Sequence, residues 1–206
     1  MSRGWPATLH HGRVGLRPIR QRDRQAWLDV RAANIDWLAP WEATPPSGRW
    51  PTADRIGFRA MVRGMRAQAR AGSVLPFVVT HDDRLVGQVT VGGITWGSLC
   101  SAHVGYWLDS RVAGRGVMPT AVALATDHAF SALGLHRIEV NIRPENAASL
   151  RVVQKLGFRD EGVRLRLLHI AGGWRDHRSF ALTADEVPEG VLARWLKSHP
   201  SQQSHY

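Results

Sequence analysis

Residues 105–118 read GYWLDSRVAGRGVM, and they constrain the architecture of this chain more than any other stretch. An apolar, aromatic segment ends at Asp109, a glycine loop follows, and a helix-forming run begins at about Val117. A strand, a glycine loop and a helix N-terminus in this order bring backbone N–H groups together where the helix dipole favours negative charge. The stretch therefore predicts an anion site and a phosphate-bearing ligand.

A second segment, residues 146–158, reads NAASLRVVQKLGF and follows a β-rich stretch at 136–143. It predicts a helix that begins after Asn146 and ends at Gly157. Asn146 and Ser149 lie at the start of this helix. Their side chains either cap the helix or hold a ligand that lies between the two helix starts.

The glycine loop differs from two common phosphate-binding motifs. It lacks the Gly-Lys-Ser/Thr of a P-loop, and Pro119 occupies the third glycine position of a dinucleotide fingerprint. What remains is Arg-x-x-Gly-x-Gly before a helix, from Arg111 to Gly116.

The rest of the chain predicts a mixed α/β (α+β) fold with one central sheet. Strands are predicted at 14–17, 74–80, 85–91, 103–108, 136–143, 163–170 and 176–182, and helices at 23–33, 53–70, 118–133 and 146–156. Residues 37–52 form a long loop rich in proline and tryptophan, and such loops are often functional. We expect one domain over residues 1–196 and a disordered tail at 197–206.

The composition predicts a globular protein with a basic surface. The net charge is +10 over 206 residues, and almost all positive charge is arginine, since lysine occurs only at 155 and 197. This charge indicates either attraction to RNA, acidic surfaces or anionic cofactors, or the codon bias of a GC-rich genome. Arg55, Arg59 and Arg63 lie four apart on one predicted helix face, which fits an acidic partner or a solvated face.

Cysteine usage and hydropathy exclude the disulfide-rich and membrane-spanning classes of protein. The single cysteine, Cys100, rules out an intramolecular disulfide framework. No apolar run approaches the ~18–20 residues of a membrane span. No signal peptide is evident at the start of the sequence. We therefore predict a cytoplasmic protein with no membrane association, and no metal site.

At this point the sequence resembles the GNAT acetyltransferase superfamily. Arg111-x-x-Gly114-x-Gly116 is similar to its pyrophosphate loop, and Asn146-x-x-Ser149 with the KLGF of residues 155–158 is similar to its second cofactor element. Further stretches resemble the RimJ/RimL branch, which acetylates N-termini of ribosomal proteins, with RimJ the nearer: PWE at 40–42, GYWLD at 105–109 and GGWRDH at 172–177. The resemblance covers roughly residues 12–184.

The resemblance implies a mostly antiparallel sheet splayed into a V with flanking helices, and acetyl-CoA as co-substrate. Backbone amides from about Val112 to Val117 would bind the pyrophosphate, the N–H of Trp107 or Leu108 would polarise the thioester carbonyl, and Ser149 would protonate the leaving thiolate. The implied cofactor-binding residues are Trp107, Leu108, Arg111, Val112, Ala113, Gly114, Arg115, Gly116, Val117, Asn146 and Ser149. The implied partner is the N-terminal peptide of a protein, most readily a ribosomal one, with RNA nearby and the enzyme a monomer or homodimer.

The general base is not fixed by the resemblance. RimL-type members carry a glutamate on the penultimate strand where this chain has Leu168, and the adjacent His169 should face the other side of the sheet. The candidates are Glu42, which leads because it lies in the substrate-side loop, then His103, Glu139, His177 or a water relay. Water is a candidate because about 10–15% of an α-amine is neutral at pH 7, against roughly 1 in 2,500 for lysine.

Two further interpretations of function remain open. The chain could acetylate a small amine such as a polyamine or aminoglycoside, although such cations need an acidic pocket. It could also be a non-catalytic module that binds acetyl-CoA or RNA. Trp37, Trp41 and Trp50 could wall a peptide groove or anchor the long loop, whereas Trp107 and Trp174 are expected to pack.

Overall fold

The computed structural model describes residues 4–47 and 55–200, which form one eight-stranded sheet with helices on both faces. The strands are β1 (Leu9–His11), β2 (Val14–Pro18), β3 (Val74–His81), β4 (Arg84–Thr95), β5 (Ser101–Leu108), β6 (Arg137–Ile142), β7 (Arg159–Ile170) and β8 (Gly173–Thr183). The helices are α1 (Arg24–Ala32), α2 (Ile35–Leu38), α3 (Arg55–Arg70), α4 (Val117–His128), α5 (Ala147–Lys155) and α6 (Val191–Ser198).

The strand order is β1-β2-β3-β4-β5-β6-β8-β7, and every neighbouring pair is antiparallel except β5 and β6. Those two strands run parallel and pair over only three residues each, Ser101–His103 with Arg137–Glu139. Beyond His103 the remainder of β5 has no partner on its β6 side within the described sheet. The two strands therefore open into a V in the middle of the sheet, which confirms the fold expected from the resemblance.

Two apolar cores cover the two faces of the sheet. The larger core surrounds α4, which contacts α5 and α6, and it includes the buried Trp195 and Phe77. The smaller core lies under α1 and α3, where Phe58 and Val62 pack with Val78 of β3. These layers hold the glycine loop and the start of α5 at the mouth of the V.

Most predicted elements are confirmed, and the differences have local causes. Strand β1 is only three residues long and pairs with β2, so it carries too little pattern to be predicted. Helix α6 was also missed: the carboxylate of Asp127 on α4 accepts hydrogen bonds from the amides of Val191 and Leu192, a tertiary cap at its start. The predicted tail boundary at Lys197 falls inside α6, and residues 201–206 lie outside the described residues.

Two other predicted features are revised. The helix predicted over 23–33 begins one residue later, and Asp23 does not cap it, since its carboxylate accepts hydrogen bonds from the Arg20 amide and the Arg17 guanidinium. The predicted loop at 37–52 contains the end of α2 and a 3-10 turn at Ala39–Trp41. The last residues of this loop and the predicted start of the helix at 53 lie outside the described residues. None of the helices in the described ranges has the length and hydropathy that crossing a bilayer requires.

Candidate functional site

A cavity of about 430 Å³ occupies the mouth of the V. The end of β5, the glycine loop and the first turns of α5 line it, and Arg151 and Lys155 add positive charge to its wall. A smaller cavity of about 230 Å³ adjoins it deeper between the strands. Both cavities are lined by Trp41, Gly105, Tyr106, Asn146 and Ser149.

The glycine loop takes a backbone conformation that side chains disfavour. Gly114 and Gly116 both have φ near +79°, and Gly116 forms the N-cap of α4. A Cβ added to Gly114 would meet no atom within 4 Å, so this glycine borders open space at the cavity. The loop thus presents bare backbone to a ligand, which is the arrangement that phosphate binding needs.

Only part of the predicted amide set is free to bind an anion. The Val112 and Ala113 amides donate to the carbonyls of Asp109 and Ser110, both at 3.1 Å, within the loop's own 3-10 turn. Within the described residues, the amides of Gly114–Val117 have no backbone acceptor. The predicted range of six amides therefore narrows to these four, which lead directly into α4.

Arg111 supports the loop and does not line either cavity. Its guanidinium binds the carboxylate of Asp109, with 2.6 Å between Nη2 and Oδ2, and its backbone amide donates to Oδ1 of the same group. Burial opposes ionisation of Asp109, but the hydrogen bonds from Arg111 and Asn34 outweigh it and lower the pKa of this carboxyl. These contacts show that Arg111, one of the predicted cofactor-binding residues, shapes the start of the loop.

Asn34 completes this anchor, and no sequence motif marked it. Its side-chain amide donates to the Val30 carbonyl at 2.8 Å and to Asp109 at 3.1 Å, while its oxygen accepts from the Ser110 amide at 2.9 Å. Asn34 is buried, with 2% of its surface exposed. It therefore ties the end of α1 to the first residues of the glycine loop.

We expect Asn34→Ala to lower the free energy of unfolding by about 1–3 kcal/mol, because the Ser110 amide and Asp109 lose a buried partner. Denaturant unfolding measures this change. As the matched control, Gln25→Ala removes an exposed hydrogen bond to Asp29 and should change stability by less than about 0.5 kcal/mol. Equal stability of the Asn34→Ala variant and the unmodified protein would refute the anchoring role.

Strand geometry distinguishes the two predicted oxyanion donors. The Asp109 amide donates to the Val86 carbonyl on β4 at 2.8 Å. Because backbone groups alternate along a strand, the Leu108 amide faces away from β4 and into the V, whereas the Trp107 amide faces β4. The same alternation turns the Tyr106 amide into the V. The geometry therefore favours the Leu108 amide over the Trp107 amide as the oxyanion donor, and the Tyr106 amide lies farther into the V.

The start of α5 carries the second predicted element. Asn146 caps the helix, since its Oδ1 accepts from the Ser149 amide at 3.1 Å. The Ser149 hydroxyl has no hydrogen-bond partner within the described part of the chain, and the residue lines both cavities. The hydroxyl of Tyr106 donates to the Ser149 carbonyl at 3.2 Å, and burial raises the pKa of Tyr106, so this hydroxyl stays protonated.

The predicted base candidates separate by position. Glu42 lines the larger cavity, but its carboxylate is paired with the guanidinium of Arg31, which in turn lies over the ring of Trp107. His103 and Glu139 line neither of the two cavities. Glu139 instead binds two arginine side chains on the sheet.

His177 is the candidate that lines the smaller cavity, together with Leu168. It is 2% exposed, and its Nδ1 lies 2.9 Å from the Arg175 carbonyl. A carbonyl can only accept, so the neutral ring carries its proton on Nδ1 and leaves Nε2 as an acceptor. Burial is the main cause that lowers the pKa of His177, and the charge of Arg143 lowers it further. His169 lies outside this cavity and contacts Thr44, as its opposite orientation predicts.

The tryptophans divide between the cavity wall and the surface. Trp37 and Trp41 line the larger cavity, and the Trp37 indole donates to the Leu108 carbonyl at 3.2 Å. Trp107 packs edge-on against Trp27, as predicted. The prediction that Trp174 packs is wrong: 56% of its surface is exposed beside His169. Trp50 lies outside the described residues.

Comparison with known proteins places these features in context. Residues 13–159 match the family model described as "Acetyltransferase (GNAT) domain". The Bacillus subtilis "Probable N-acetyltransferase YjcK" is 45% identical over 171 residues, which cover 82% of this chain and 93% of that protein. The Escherichia coli "[Ribosomal protein uS5]-alanine N-acetyltransferase" is 28% identical, covering 86% and 91% of the two chains.

A solved structure gives the same result at the level of the fold. "Mycobacterium smegmatis RimJ in complex with CoA-disulfide" superposes with a TM-score of 0.91 at 41% identity, covering 96% of this chain and 97% of that one. These matches agree with the two cofactor motifs and with the RimJ/RimL-type resemblance.

Proposed function

The chain belongs to the GNAT acetyltransferase family, and from this premise we propose that it transfers the acetyl group of acetyl-CoA to the N-terminal α-amine of a protein, with a ribosomal protein as the acceptor. The transferase class and its use of acetyl-CoA follow from the family. The α-amine and the ribosomal acceptor are the proposed part. A ribosomal acceptor implies action in the cytoplasm.

One observation carries the cofactor assignment: the four amides of Gly114–Val117 have no backbone acceptor among the described residues, and Gly114, Gly116 and Val117 line the cavity at the N-terminus of α4. Gly114 leaves open space where any other residue would place a side chain. Arg151 and Lys155 contribute positive charge to the same wall. A diphosphate fits this donor set by geometry and by charge.

The remaining residues act on the reacting groups. Acetyl-CoA supplies an activated thioester, which the acceptor amine attacks directly while the carbon–sulfur bond breaks and the thiolate leaves. The Leu108 amide faces the cleft and would donate to the carbonyl oxygen as it gains negative charge. The Ser149 hydroxyl, at the junction of the two cavities, would give a proton to the thiolate sulfur.

For the proton released by the amine, the geometry favours His177 over Glu42. The Glu42 carboxylate is engaged in an ion pair with Arg31, which holds it at the cavity wall and away from the acceptor amine. The unprotonated Nε2 of His177 is available in the smaller cavity, directly or through a water. We assign Glu42 and Trp41 to the wall that receives the acceptor.

The acceptor class rests on the lining of the cavities and on the relatives. Glu42 is the one acidic residue among those that line the two described cavities, and it is already paired. Polyamines carry several charges and need uncompensated carboxylates, so this lining disfavours them. The uS5-alanine enzyme, whose name specifies a protein acceptor, aligns over 86% of this chain, whereas the Escherichia coli "Spermidine N(1)-acetyltransferase" aligns over only 31% of it.

Thiol release with acetyl-CoA tests the proposal. We expect turnover with peptides that begin with alanine or serine, and little turnover with spermidine or with the same peptides blocked at their N-terminus. Turnover with spermidine alone would support a small-amine acetyltransferase. Tight acetyl-CoA binding without thiol release from any acceptor would support a binding module and contradict the proposed activity.

We expect Ser149→Ala to lower kcat about tenfold or more while the KM for acetyl-CoA changes by less than about threefold, because the hydroxyl is needed when the thiolate leaves. Steady-state kinetics measures both constants. Ser149→Cys, which restores a donor, is the rescue control. A KM effect with an unchanged kcat would remove Ser149 from the acid role.

A further inference from the structure

Helix α3 carries a row of arginines along one face. Arg59, Arg63, Arg66 and Arg70 are spaced by four, three and four residues, so they lie on one side of the helix. Each follows by one residue a position that packs toward the smaller core, namely Phe58, Val62, Met65 and Ala69. The arginine row therefore lies about 100° around the helix from its packed side and runs for roughly 16 Å.

A neighbouring 3-10 turn, Gln21–Asp23, extends this row. The Gln21 side chain donates to the Arg59 carbonyl at 3.5 Å, and Arg66 donates to the Ile19 carbonyl at 3.4 Å. These contacts hold residues 19–21 against α3. We call the surface formed by Arg20, Arg22, Arg59, Arg63, Arg66 and Arg70 the arginine face.

Over the part of the chain that the structure describes, no carboxylate compensates the charge of the arginine face. Helix α3 contains no acidic residue over its 16 positions, and the nearby Asp23 is buried and bound to Arg17. Within residues 4–47 and 55–200, no arginine of this face forms an ion pair. On the sheet, by contrast, the arginines are paired with carboxylates: Arg137, Arg159, Arg164 and Arg178. The arginine face therefore carries six positive charges that no described carboxylate compensates through an ion pair.

We propose that the arginine face binds the phosphate backbone of RNA. Guanidinium groups match phosphate oxygens in shape and charge, and the length of the row spans several successive phosphates. An acidic protein or a membrane is a poorer fit, because such interfaces need apolar anchors. The exposed large hydrophobic side chains of the described residues all lie outside α3: Ile35, Trp37, Trp96, Leu99, Val163, Leu165, Leu168 and Trp174.

This surface is separate from the catalytic cleft, since none of its arginines lines either cavity. The choice of RNA gains support from the proposed function, because a ribosomal acceptor presents its N-terminus beside RNA. Binding of RNA would then bring the enzyme to its acceptor without contributing to the chemical step.

Fluorescence anisotropy with a short labelled RNA duplex tests the proposal. We expect Arg63→Glu/Arg70→Glu to raise the Kd about tenfold or more and to make the slope of log K against log salt less negative by about 2. The matched control is Arg84→Glu/Arg166→Glu, which makes the same change in net charge at two exposed arginines elsewhere. The control should raise the Kd less than about threefold.

Three results would overturn the proposal. The first is an equal rise in the Kd for RNA in the two double variants. The second is RNA binding that does not weaken as the salt concentration rises. The third is tighter binding of a poly-glutamate peptide or of anionic vesicles than of the RNA duplex. Acetylation of a free peptide by Arg63→Glu/Arg70→Glu should match that of the unmodified protein, which shows that the variant is folded. If the unmodified protein did not acetylate the peptide, the result would count against the proposed function. The RNA-binding measurements would still decide the role of the arginine face by themselves.

Discussion

The variant Gly114→Glu is expected to lose at least about 100-fold in affinity for acetyl-CoA, or roughly 3 kcal/mol. Three effects act together. The side chain enters the open space beside the loop amides, its charge repels the diphosphate, and its backbone must keep φ near +79°, which is unfavourable for any residue with a Cβ. Calorimetric titration with acetyl-CoA measures the loss directly.

Gly97→Glu supplies a closely matched control for this experiment. Gly97 has φ of +74° and also has open space where a Cβ would be, but it lies in the turn between β4 and β5, away from both cavities. The Gly97→Glu variant therefore introduces the same charge and similar backbone strain as Gly114→Glu. We expect its acetyl-CoA affinity to remain within about threefold of the unmodified protein. If the two variants bind equally well, the diphosphate does not lie at Gly114.

The second large effect is expected at His177. We expect His177→Asn to lower kcat about 100-fold at neutral pH, because asparagine can still donate to the Arg175 carbonyl but offers no basic nitrogen in place of Nε2. The retained hydrogen bond limits structural damage. Steady-state turnover with an alanine-starting peptide measures the change, and the KM for acetyl-CoA should stay within about threefold.

The pH profile separates a catalytic from a structural role. Burial lowers the pKa of His177, the nearby Arg143 lowers it further, and the Arg175 carbonyl, Asp176 and Glu145 act in the opposite direction. Because only the neutral ring accepts a proton, kcat should be full above this pKa and fall as the pH drops through it, below about 6.5. His177→Asn should lack this acid limb.

His103→Asn is the control for that profile. Burial also lowers the pKa of His103, yet this residue lines neither described cavity. Its replacement should leave both kcat and the acid limb unchanged. If the acid limb persisted in His177→Asn and disappeared in His103→Asn, the proton transfer would belong to His103, and the role of His177 would be refuted.

Local sequence signals predicted the parts of the site that local chemistry controls. The glycine loop and the cap at Asn146 were predictable because each depends on a few consecutive residues: a left-handed glycine before a helix, and a short polar side chain at a helix start. The class of fold followed from the same order of strands and helices. Even there, the number of free loop amides depended on a turn that the sequence did not reveal.

Features that depend on distant contacts were not predictable from the sequence alone. Asn34 acts through groups that lie 75 and 76 residues away along the chain, and nothing near it in the sequence marks that role. The choice between His177 and Glu42 required the ion pair with Arg31 and the register of β7 against β8. The exposure of Trp174 likewise depends on its place near the end of a hairpin, where no element covers it.

Because β5 pairs with β6 over only three residues, this sheet has an unpaired strand edge in its interior as well as at its two ends. Most proteins shield such edges because unpaired strands recruit other chains. Here the unpaired part of β5 beyond His103 adjoins the two cavities. An extended molecule with amide groups of its own could complete the hydrogen bonding of the Leu108 and Tyr106 backbone as a substitute strand. The interrupted sheet would then select its ligand by length and by the spacing of its amides.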